Sequence, residues 1–80
     1  MKIYHYHGRK NLAGGRIREA RQKLKMSQAD QAAQIQVEGI IIEGDSISRI
    51  EIGTRFIPDY ELPEFSNVLG VPVDWLLGMK

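Results

Sequence analysis

Residues 27–55, SQADQAAQIQVEGIIIEGDSISRIEIGTR, decide how this chain folds. Ser27 followed three residues later by Asp30 is a capping box with aspartate in the usual glutamate position, so a helix should begin directly after Ser27. Ala29, Ala32, Ala33 and Ile35 continue it, and it should stop before Gly39. Gly39-Ile40-Ile41-Ile42-Glu43-Gly44, an apolar run bracketed by glycines, reads by itself as a short strand. The next helix begins between Glu43 and Asp45, buries Ile47 and Ile50, and ends on Gly53 as the first residue past its C-terminus. At about 100° per residue, the face opposite the two isoleucines holds Asp45, Arg49 and Ile52, with Ser48 at its margin. Glu51 falls about 70° from the isoleucine pair, on the packed side.

Working outward, Ala13, Ile17, Ala20 and Leu24 recur at i, i+4, i+7 and i+11, the spacing of one buried helical face, with Asn11 as its N-cap. Gly14 and Gly15 weaken the first turn by about 1 kcal/mol each relative to alanine. Towards the C-terminus, Pro58-Asp59 opens a fourth helix with Leu62, Phe65, Val68 and Leu69 on its apolar side and Gly70 at its end. Pro63 then lies in or just after the first turn, where a missing donor costs least. Pro72 opens a last short helix carrying Val73, Trp75, Leu76 and Leu77. The expected fold is all-α: a compact domain of five short helices over residues 11–80, preceded by an arm, residues 1–10, that is either a short strand or loose.

A net charge of +1 conceals a division. Residues 1–25 carry eight Lys/Arg against Glu19 alone, a local charge of +7, whereas residues 26–80 set Arg49, Arg55 and Lys80 against nine acids, a local charge of −6. That asymmetry suits either a polyanionic partner for the basic third or a solvated basic helix balancing an acidic remainder. With no cysteine, disulfides and thiolate metal sites are excluded, and a reducing cytoplasm is the natural setting. No apolar stretch approaches a membrane span, and no secretory signal is expected.

Ser27-Gln28-Ala29-Asp30-Gln31-Ala32-Ala33 resembles the opening of the second helix in the Cro and phage-repressor (XRE) family. Ile47-Ser48-Arg49-Ile50-Glu51-Ile52-Gly53-Thr54-Arg55 resembles the recognition-helix signature of that family, and Gly70-Val71-Pro72-Val73-Asp74-Trp75-Leu76-Leu77 resembles its ending. This sequence differs by Gln31 at the usual leucine position and by about five additional residues between the second helix and Ile47. The resemblance implies a helix-turn-helix regulator of transcription in a prokaryote or phage. Such a protein would be a dimeric repressor that reads the major groove of duplex DNA with the helix around residues 44–52, its dimer contact among the last two helices and the C-terminal tail. Asp45, Ser46, Ser48 and Arg49 are then the groove-facing candidates, with Arg49 the base reader, because a guanidinium pairs bidentately with guanine O6 and N7. Ser27, Gln28, Thr54 and Arg55 are the phosphate candidates, and Arg21 with Glu51 matches a structural ion pair between the first and third helices.

A second class remains open: a protein-interaction module on the same scaffold, favoured by the acidic start of the third helix and the isoleucine-rich turn. No nucleophile–base pair, phosphate loop or paired-carboxylate pattern points to an enzyme, a cofactor or a small-molecule substrate. His5 and His7 would share one side of a strand, but no further ligand cluster accompanies them, so an aromatic surface or dimer contact is the better reading and no metal is expected.

Overall fold

A computed structural model describes residues 6–79. Among these residues five helices follow one another: α1 Gly14–Lys23, α2 Gln28–Val37, α3 Gly44–Ile52, α4 Leu62–Leu69 and α5 Val73–Leu76. α2 packs on α3 and α4, while α1 crosses the other side of the bundle and touches α3, α4 and α5. Ile17, Ile35, Ile47, Ile50, Phe65 and Leu76 are fully enclosed between them. Each such side chain stabilises the fold by about 1.5–3 kcal/mol. None of the helices is long and apolar enough to cross a membrane, among the described residues.

The capping box forms as expected. Asp30 N–H donates to Ser27 Oγ at 2.9 Å, and Ser27 N–H donates to the Asp30 carboxylate at 3.1 Å. That backbone hydrogen bond, followed by the hydroxyl, holds the Asp30 carboxyl below its ordinary value. α2 ends at Val37, and Gly39 takes the left-handed conformation (φ 90°) that releases the chain. α3 and α4 likewise end on left-handed glycines, Gly53 and Gly70.

Three expectations are corrected. Residues 40–43 form no strand: Ile42 is buried as a plug while Ile41 is 93% exposed, and Gln36 Nε2 donates to the Ile42 carbonyl, tying the loop to α2 rather than to a sheet. Pro58-Asp59 does not open α4. A helix starting there would need residue 63 to donate to the carbonyl of Asp59, and Pro63 has no N–H. The chain instead makes a turn, Glu61 N–H donating to Pro58 O, and α4 starts at Leu62 with the proline in its first turn. Asn11 does not occupy the N-cap of α1, which is Ala13. Its Oδ1 nevertheless accepts from Gly14 N–H at 2.7 Å, so it still satisfies a donor of the first turn.

Candidate nucleic-acid interface

α3 is gripped from beneath and at its C-terminus, and these grips decide which face it presents. Beneath it lie Ile47 and Ile50, both fully buried, and Ala32 of α2, small enough to let the two helices approach. Beside them Arg21 of α1 meets Glu51 in a two-pronged pair, Nε to Oε2 at 2.7 Å and Nη2 to Oε1 at 3.0 Å, with the Glu51 side chain 1% exposed. Arg21 also donates to Met26 O, and Gln28 Nε2 adds a third donor to Glu51 at 3.2 Å. The hydrogen bond to Glu51 raises the Arg21 pKa, so this guanidinium is charged at any physiological pH. The expected ion pair therefore has Gln28, a phosphate candidate, built into it.

The outward face is the one the helical projection gave. Asp45, Arg49 and Ile52 are exposed, while Ser46 and Ser48 flank them half-buried. Glu43 is the N-cap of α3 but makes no side-chain cap, and Asp45 turns to Arg49 instead, at 3.3 Å one helical turn on. Both side chains of that pair are more than half exposed, so its net stabilisation is about 0.3–0.5 kcal/mol and it opens readily. Thr54 sits exposed at the far end, its N–H and hydroxyl turned to Arg49 O.

Arg55 is placed differently from the phosphate role expected of it. It forms a two-pronged pair with Glu61, at 2.9 and 3.1 Å, and the Glu61 side chain is only 3% exposed. The hydrogen bonds to Glu61 raise the Arg55 pKa. Glu61 was not among the sequence candidates. Its burial depends on the turn that Pro63 forces, and nothing in the local pattern of charges announces it.

The arm supplies residues that the sequence reading also missed. Tyr6 and Arg9 exchange both backbone hydrogen bonds across His7 and Gly8, which have positive φ (52° and 76°), a two-residue turn. Arg9 Nη2 donates to Glu51 O at 2.9 Å and Nη1 to Ile52 O at 3.4 Å; Lys10 N–H donates to Gly53 O at 2.8 Å; Asn11 Nδ2 donates to the carbonyls of Ile50 and Arg55, both at 2.9 Å. The two bonds from Arg9 meet carbonyls in the last turn of α3, where a helix leaves acceptors unpaired. The fit is close: a Cβ on Gly53 would lie 2.8 Å from Arg9 Cζ, and one on Gly14 would collide with Ile50 O. His7 packs edge-on against Tyr6, at 4.2 Å between ring centres, and His5 lies outside the described residues. No group of three His, Cys, Asp or Glu side chains gathers among the described residues.

Between α1, α4 and α5, Ala20, Leu24, Leu69, Val71, Pro72 and Trp75 line an apolar groove of about 350 Å³. Leu24, expected in the core, is half exposed there, and Trp75 carries Arg16 over its ring at 4.8 Å. Comparison with protein-family models and with curated proteins gave no match to this chain.

Proposed function

We propose that the protein is a sequence-specific binder of duplex DNA, a regulator of the Cro and phage-repressor type acting in the cytoplasm of a prokaryote or on phage DNA. The observation that carries this reading is the presentation of α3: buried residues and a buried ion pair fix its inner side, and the free side offers Asp45 and Arg49 outward in a pair weak enough to exchange for base edges. α2 and α3 then serve as the helix-turn-helix, with α3 in the major groove and the N-terminus of α2, with Ser27, near a phosphate. Because one nine-residue helix reaches few bases, two copies are needed for useful selectivity, with their α3 helices about 34 Å apart on one face of the duplex.

A second reading, a protein-interaction module, draws on the exposure of Val37, Ile41 and Ile52 on the α2–α3 unit. Arg49→Ala separates the two readings. Among the described residues the side chain pairs only with exposed Asp45, so its loss should lower stability by no more than about 0.3–0.5 kcal/mol, the contribution of that pair. On duplexes enriched from a random pool, the variant should lose about 1–3 kcal/mol and relax its preference at one base position per half-site. A loss that is uniform over all sequences would move Arg49 to the backbone, and absence of any enriched duplex would favour the interaction module.

A further inference from the structure

The family resemblance assigns backbone contacts at the C-terminal end of α3 to Thr54 and Arg55, and the structure commits Arg55 to buried Glu61. Beyond Arg49, further positive charge at that end comes from the arm. Arg9 lies across Gly53 and is hydrogen-bonded to the carbonyls of Glu51 and Ile52. Those bonds use one N–H on each terminal nitrogen, and a guanidinium has five to give. Lys10 is fixed by its main chain to Gly53 O, and its ammonium stands 5.7 Å from the centre of the partly exposed Phe56 ring. The hydroxyl of Thr54 is exposed beside them.

Dimensions give this cluster a partner. Nine residues make α3 about 13 Å long, and the major groove is about 12 Å wide. A helix of that length that enters the groove by its N-terminal residues brings its C-terminal end out to the rim, beside one phosphate strand. The N-terminal end of α3 carries Glu43 and Asp45 and repels phosphate; the C-terminal end carries Arg9 and Lys10 and attracts it. We infer that Arg9 and Lys10, docked by the arm onto the C-terminal end of α3, form a phosphate-backbone contact that holds duplex DNA without regard to sequence. This rests on the DNA-binding reading above and adds a site to it.

Lys10→Gln is the informative variant, because the docking of residue 10 uses its main-chain N–H and survives the change. Binding of the full chain to an enriched duplex and to a random one is measured from 0.05 to 1 M salt, beside Lys23→Gln, a cation in the apolar groove of α1, α4 and α5, as control. The expected result is a salt slope shallower by about 0.9 per bound protomer, so that relative to the parent each protomer binds about eightfold more weakly at 0.1 M than it does at 1 M, equally on both duplexes, and no change for Lys23→Gln. Arg9→Gln, checked first for an intact melt, should flatten the slope similarly. A Lys10→Gln slope and affinity equal to the parent's, on duplexes the parent binds, overturns the arm contact and leaves the α3 reading standing. A parent chain that binds no duplex at 0.05 M salt overturns both.

Discussion

Arg21 and Arg55 are both engaged with buried carboxylates, and among the described residues neither carboxylate has another full countercharge to fall back on. Removing one member of a buried pair leaves the other desolvated and unpaired, which costs more than the pair itself stabilises. Glu51→Ala should therefore lower stability by about 3–5 kcal/mol in the absence of DNA. Arg55→Ala should cost less, about 2–3 kcal/mol, because a quarter of the Arg55 side chain already meets solvent and water can reach Glu61. Urea titrations of both variants measure this, and an unchanged midpoint for either would show that its carboxylate is not held as described. The two glutamates also mark the limit of what a residue discloses. Glu51 belongs to a helix whose projection points it inward, so its burial was legible; Glu61 belongs to a turn whose shape is set two residues later, so its burial was not.

Among the elements, α1 and α2 each contain a residue whose meaning depends on a neighbouring helix. The double glycine of α1 looks like a uniform weakness of about 1 kcal/mol per residue. In place, Gly14 lets α1 pass over the last carbonyls of α3, whereas nothing lies within 4 Å of a Cβ on Gly15. Gly15→Ala should stabilise by about 0.5–1 kcal/mol and Gly14→Ala should destabilise; melts moving in the same direction would refute that contact. Gln31 of α2 is fully buried, and neither its amide nitrogen nor its oxygen has a hydrogen-bond partner among the described residues. Gln31→Leu should raise stability by about 1–3 kcal/mol, a rise of several degrees in Tm, and a lower Tm would show that the amide is matched. Helix identity was legible because apolar spacing marked each segment, a capping box opened α2, and glycines marked the ends of α2, α3 and α4. The strand reading of residues 39–44 failed because a strand needs a partner that the local pattern cannot supply, and the docked arm was invisible because its acceptors are carbonyls, which carry no sequence.

Over the whole molecule, the division of charge acquires a geometry. Part of the basic third is turned inward or occupied: Arg21 on Glu51, Arg16 on Trp75 and its carbonyl. Arg9 and Lys10 are brought by the fold to the C-terminal end of α3, at the other end from the acids at the helix start. A face with acids at one end and cations at the other has a required orientation on a polyanion, which a uniformly basic surface lacks. The most direct test of the central claim is a salt titration of the unmodified chain against a random duplex and against duplexes enriched from a random pool. The account predicts that log K falls linearly with log salt on both, and that an enriched site, carrying two half-sites one helical turn apart, binds at least about 10³-fold more tightly than the random one. Equal affinity for all duplexes, or no binding at 0.05 M salt, would contradict it.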